Sequence, residues 1–182
     1  MRLARAAAVL GILAALAWPE IARYAAERRV GYATTAFRSL LDRSDDPETA
    51  RNIAAVGELA LGTTGSLPDD PRPWVLAGSS CLVTGRPERA LELYREAFAT
   101  GERSEIDLNL GRAYALLNRA DSAAAAHLRA GWVSPEILES LPPAVKDPLL
   151  AEIARLSEQL RHGKLTEPPP LPEQERREQK RG

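Results

Sequence analysis

The stretch Trp74–Phe98 reads WVLAGSSCLVTGRPERALELYREAF, and its spacing decides the fold. Trp74, Gly78 and Cys81 stand at i, i+4 and i+7, which stacks them on one face of a helix. Gly85-Arg86-Pro87 then breaks the chain, because glycine ends a helix readily and proline suits the first turn of a new one. Ala90, Tyr94 and Ala97 repeat the same spacing on a second helix. Small residues at Gly78 and Ala90 let two antiparallel helices approach closely, with Trp74 and Tyr94 filling the space beside them.

The pattern recurs downstream. Gly111 and Tyr114, then Ala123, His127 and Ala130, reproduce Gly78 and Cys81, then Ala90, Tyr94 and Ala97, at a displacement of 33 residues. Upstream, DPETA (46–50) echoes RPERA (86–90). On these residues the chain resembles the tetratricopeptide repeat (TPR) family, whose unit is a helix–turn–helix of about 34 residues. Trp74, Gly78, Gly85, Ala90, Tyr94 and Ala97 match one unit; Leu110, Gly111, Tyr114, Ala123, Ala130 and Pro135 match the next. The chain departs from the family pattern at Cys81, where an aromatic ring is usual, and at Asp107 in the tryptophan-like slot. His127 replaces a large hydrophobe, and Arg38 stands where glycine is usual.

The resemblance implies an all-α solenoid of helical hairpins, with an N-terminal hydrophobic helix and a C-terminal capping helix. Its divisions are a signal or anchor helix over 1–29, a degenerate hairpin over 30–64 and a loop over 65–70. Two repeat-like units follow over 71–137, with capping helices over 138–163 and a disordered Pro-rich, charged tail over 164–182. One such unit cannot bury its apolar face alone, so stacking and a terminal cap are required. The repeat core comprises Trp74, Gly78, Cys81, Ala90, Tyr94, Ala97, Gly111, Tyr114, Ala123, His127, Ala130 and Pro135.

Residue patterning elsewhere fits helices. Phe37, Leu40 and Leu41 share a face with Val30 and Ala33, and Asp46-Pro47 supplies an N-cap and a first-turn proline. Gly62 stops the next pattern, and GTTGSLPDDPRP (62–73) is a loop by composition. SPEILESLPP (134–143) reads as a short helix. Asp147-Pro148 opens a cap with Leu149, Ile153, Leu156 and Leu160 on one face, and Gly163 closes it.

The 182 residues are 45% hydrophobic and 27% charged, enough apolar material for a core. A net charge of −1 argues against a nucleic-acid partner. The single cysteine, Cys81, cannot form an internal disulfide. Only Lys146, Lys164 and Lys180 are lysines among 24 basic residues, an arginine bias that hints at a GC-rich bacterial genome.

MRLAR is basic, and AAAVLGILAALAW (6–18) carries no charge. That layout is read by export machinery as a secretory signal or an uncleaved anchor. Thirteen residues fall short of the roughly twenty that a span needs unless Ile21 and Ala22 join. The reading is a single-pass inner-membrane anchor with the repeat domain on the periplasmic side; the alternative is a soluble periplasmic protein after cleavage.

The sequence carries no recognisable catalytic constellation. His127 and His162 belong to different elements without a Cys/His cluster, so no metal site is expected. Ser79-Ser80 lacks a nucleophile elbow, and GTTGS (62–66) lacks the Gly-Lys-Ser/Thr of a phosphate cradle. PPPLP (168–172) reads as a spacer. No cofactor or catalytic residue is expected. In the family, the first helix of each unit lines a concave groove that docks a peptide or helix. Carried over by register, the lining is Arg72, Val75 and Ser79, then Glu105, Asn109 and Arg112, with the arginine pair suiting an acidic or mixed extended segment. The implied role is a membrane-tethered adaptor or scaffold in a bacterial envelope assembly. The alternative is a structural accessory subunit of a multi-subunit membrane complex.

Overall fold

The computed structural model describes residues 2–42, 46–165 and 167–170, with side chains from residue 15 onward. Among the described residues the secondary structure is helical throughout: α1 (Arg2–Leu41), α2 (Pro47–Leu61), α3 (Arg72–Val83), α4 (Pro87–Ala99), α5 (Ser104–Leu116), α6 (Ala120–Val133) and α7 (Pro143–Arg161). Two short 3-10 segments, Thr64–Ser66 and Pro135–Ser140, fill connections. The chain forms antiparallel helix pairs, each α-helix packing mainly on the next in sequence.

Local chemistry explains the boundaries. Asp46 lies in the extended region (φ −78°, ψ 128°), and its carboxylate accepts from the Thr49 N–H and the Thr49 hydroxyl, both at 2.8 Å. That satisfies a helix-start donor with Pro47 pre-set for the first turn. α3 ends as Gly85 turns left-handed (φ 72°), and the Arg86 N–H reaches the Cys81 carbonyl at 2.8 Å. α5 ends the same way 33 residues later: Asn118 takes φ 56°, and the Arg119 N–H reaches the Tyr114 carbonyl at 2.9 Å. Asparagine tolerates this conformation better than most side chains, so it stands in for glycine.

Gly78 packs beneath Tyr94; a Cβ added there would lie 2.6 Å from the ring Cε1. Gly111 packs beneath His127 in the same manner, and a Cβ would strike the imidazole. The partner of Gly78 on α4 is thus the tyrosine ring itself, with Ala90 fully buried nearby in sequence. The central core gathers Cys81, Ala90, Leu93, Tyr94, Ile106 and Tyr114, among others, from α3, α4 and α5, and Ala123 and Ala126 from α6. Ala33 and Phe37 of α1 meet Ile53, Val56 and Ala60 of α2 with Leu76 of α3 in a second cluster. A third joins Leu108 and Ala130 to Leu138, Leu141, Leu149 and Ile153. Each large side chain so buried stabilises by about 1.5–3 kcal/mol relative to exposure.

Several expectations need correction. α1 runs unbroken from Arg2 to Leu41 through Pro19, so the boundary drawn at residue 29 falls inside a helix. Leu41 is exposed, whereas its neighbour Leu40 packs against the cluster shared with α2. Gly62 does end α2, as its C-cap, in a right-handed conformation (φ −61°). The loop after it is partly structured, burying Thr63, Leu67 and Pro71. The segment after α6 is a 3-10 helix with Pro135 exposed at its start, which removes Pro135 from the core. α7 begins at Pro143, four residues before Asp147, and Pro148 sits within it. Leu149 and Ile153 are buried, but Leu160 is half exposed because the third cluster does not reach α7's last turn.

The start of the tail is packed: Pro169 is buried and its carbonyl accepts from Arg129 Nη1 at 2.6 Å. Residues 171–182, read as disordered, lie outside the described residues, as does Met1. No helix among the described residues is long and apolar enough to cross a membrane. The apolar run over 6–18 lies, through residue 14, outside the residues whose side chains are described.

Candidate functional site

α1, α3 and α5 touch in succession, and α5 touches the Pro135–Ser140 segment, so these elements share one layer. That layer carries all six residues expected to line a groove. Arg72, the first residue of α3, is exposed but not available as a bare cation. Its Nε donates to both Asp70 oxygens, at 3.0 and 2.9 Å, and its own N–H donates to Asp70 Oδ1 at 2.9 Å. Burial pushes the Asp70 carboxyl up, but the Arg72 hydrogen bonds and charge outweigh it and hold the group below its usual value.

Arg112 is likewise engaged. It donates to Asn109 Oδ1 at 3.3 Å and to Ser140 Oγ at 2.8 Å, tying α5 to the 3-10 segment. Ser79 lies 3.2 Å from the Tyr94 hydroxyl. Burial pushes that phenol up to about 12, against the Ser79 hydrogen bond and the nearby Arg112 charge. Val75 is half-buried against the central core, and Glu105 is exposed. The structure therefore places the six on adjoining helices, but the arginine pair is already occupied by neighbours within the chain.

Two adjoining hollows lie beside Arg72. The first, about 410 Å³, is walled by Arg23 and Glu27 of α1, by the Ser66–Pro71 loop, and by Arg72 and Arg103. The second, about 560 Å³ and shallower, lies along α1 between Tyr24 and Thr35, with Arg28, Gly31 and Tyr32. Glu27 and Arg72 line both. In the first, Arg23, Arg72 and Arg103 face Glu27, Asp69 and Asp70, so the formal charges cancel. Arg23 Nε donates to Glu27 at 3.4 Å across the exposed surface of α1. Such a lining favours a segment carrying both signs of charge over a purely acidic one.

Tyr24 falls in the segment expected to be an anchor and Tyr32 in the degenerate hairpin, whereas the family register draws the groove from the first helices of the two later units alone, so neither tyrosine is expected there. A signal was present. Tyr24, Arg28, Gly31 and Thr35 stand at i, i+4, i+7 and i+11, opposite the buried stripe Ala26, Val30, Ala33 and Phe37.

Compared with known families, characterised proteins and solved structures, the chain matches none.

Further polar groups lie in and beside the core. His127 is 4% exposed, and burial, then the Arg112 charge, pushes its pKa down to about 4, against a weaker hydrogen bond to the Leu108 main chain. Its Nε2 has no hydrogen-bond partner. Asp107, in the tryptophan-like slot, is fully buried beside Glu102, whose carboxylate forks onto Arg129 of α6. Those Arg129 hydrogen bonds, opposed by burial, hold the Glu102 carboxyl below its usual value. Burial raises the Cys81 thiol, which makes it a poor nucleophile. Among the described residues no group of three or more His, Cys, Asp or Glu side chains could hold a metal ion.

Proposed function

We propose that the protein is a non-enzymatic docking scaffold of tetratricopeptide-like helix pairs, tethered to a membrane through the first part of α1. It gathers an extended protein segment on the α1–α3–α5 layer. The observation that carries this reading is the pair of adjoining hollows that share Glu27 and Arg72, flanked by the exposed rings of Tyr24 and Tyr32. Tyrosine and arginine supply broad contact area with hydrogen-bonding tips, the pairing that recurs at protein-binding hot spots. The repeat reading is supported by two devices that recur at a displacement of 33 residues. They are the glycine beneath a ring (Gly78–Tyr94, Gly111–His127) and the left-handed helix end (Gly85, Asn118). A basic start followed by an uncharged run supports an inner-membrane tether with the helix pairs in the periplasm of a bacterium.

Gly31 provides the test. A Cβ there meets nothing within 4 Å, so Gly31→Trp fills the shallow hollow without disturbing the fold. A photo-reactive residue at Tyr32 should give a discrete cross-linked adduct in native membranes, and Gly31→Trp should abolish it at unchanged thermal stability. An adduct that persists in Gly31→Trp, or that forms equally from exposed Ala55 on α2, rejects the docking face.

A further inference from the structure

Four large apolar side chains crowd the described beginning of α1 without cover. Leu16 is 70% exposed, Trp18 68%, Ile21 58% and Tyr24 62%. At about 100° per residue they stand near 0°, 200°, 140° and 80° around the axis, more than half the circumference. A partner helix or a protein groove covers a stripe about 100° wide. Side chains spread this far need apolar surroundings on several sides at once, which lipid supplies and a single protein contact does not.

Their order along the axis is equally specific. The uncharged run ends at Trp18, Tyr24 follows about 9 Å further along the helix, and exposed Arg28 and Arg29 come next. A core of about 30 Å inside a bilayer of about 40–45 Å leaves about 5–8 Å for each interfacial layer, so a modestly tilted helix carries Trp18 at its inner edge and Tyr24 at its outer edge. Trp and Tyr favour that layer because each has an apolar body and a polar tip, and arginines just outside it can meet lipid phosphates. Two acids lie within the stretch, Glu20 and Glu27, and Glu27 is paired with Arg23. The helix is continuous from the apolar run to the packed stripe that begins at Ala26, so nothing separates this ring of side chains from the helical body.

We infer that Trp18–Tyr24 of α1 is an interfacial collar seated in the headgroup layer of a phospholipid bilayer, with Arg28 and Arg29 at its outer edge, so that the docking hollows open at the membrane surface. The inference rests on the tethered reading above, and one experiment separates the two. The full chain is reconstituted into phosphatidylcholine–phosphatidylglycerol vesicles whose acyl chains carry bromine either near the headgroup or near the chain end. Trp18 emission is taken as the difference between the native chain and Trp18→Phe, since Trp74 and Trp132 also fluoresce. The collar requires blue-shifted Trp18 emission quenched severalfold more by shallow than by deep bromine. Vesicle-bound protein with unshifted, unquenched Trp18 would leave the tether standing and overturn the collar. Stronger quenching by deep bromine would also overturn it, by placing Trp18 in the hydrocarbon. A chain that does not associate with vesicles overturns both readings.

Discussion

At Gly78 the missing side chain is what admits the Tyr94 ring between α3 and α4, and Gly111 does the same for His127 between α5 and α6. Tyr94 is fully buried and held through its hydroxyl by Ser79, so it has little room to retreat. Gly78→Ala should therefore lose about 1–3 kcal/mol from overpacking, partly offset by up to about 1 kcal/mol of helix propensity. Urea denaturation of Gly78→Ala, Tyr94→Leu and the double variant checks this. The double variant should lose less than the sum of the singles, and simple additivity would count against the close packing. His127 gives a pH test. Its folded pKa is pushed below the unfolded value, so the unfolded chain binds the proton first, and stability is lost as pH falls from about 6.5 to 4. The loss should be a few kcal/mol at most, on the order of 2–3. His127→Leu should remove that part of the acid sensitivity between pH 7.5 and 4.5; an unchanged pH profile would refute the buried neutral imidazole.

Helix boundaries were readable wherever one residue type has one physical use. Asp46 before Pro47, Gly85 before Arg86-Pro87 and Gly163 after α7 all act at helix ends, with the cap or left-handed turn in place. Asp46→Ala should accordingly cost about 1 kcal/mol, read as a lower denaturation midpoint with an unchanged slope. A change below a few tenths would mean the cap contributes nothing. Other boundaries were hidden because they depend on contacts distant in sequence. α7 starts at Pro143 since Leu149 and Ile153 are drawn onto Leu138 and Ala130, and the local signal Asp147-Pro148 is overridden. The surroundings of the proposed groove residues are the least legible. Register puts Arg72 on α3 and Arg112 on α5, but does not reveal the Asp70 fork or the Ser140 hydroxyl that engage them. Asp70 belongs to an irregular loop and Ser140 to a 3-10 segment, where no periodicity fixes direction. Asp107 is similar: its buried place follows from the neighbouring Glu102–Arg129 fork, whose members lie 27 residues apart.

Across the whole molecule, each helix leans mainly on its sequence neighbours, so stability is shared locally. The central cluster spans α3 to α6, while α7 is held by the third cluster near one end. Hydrogen exchange should be slowest in α3–α6 and distinctly faster in the last turns of α7, where Leu160 and Arg161 are exposed. Uniform protection along the chain would contradict that gradient. α1 differs from the rest in length. Forty residues at about 1.5 Å each make a rod of about 60 Å, and its latter half carries the stripe Ala26, Val30, Ala33 and Phe37 that fixes it to the body. A rod without a joint transmits rotation as well as distance. One residue inserted between Trp18 and Ala22 would swing everything beyond it by about 100° about the axis, while seven would bring it back to within about 20° of its starting azimuth. The compass bearing of the Tyr24–Tyr32 hollow is thus written into the residue count upstream of it, as a key's teeth are aligned by its shank.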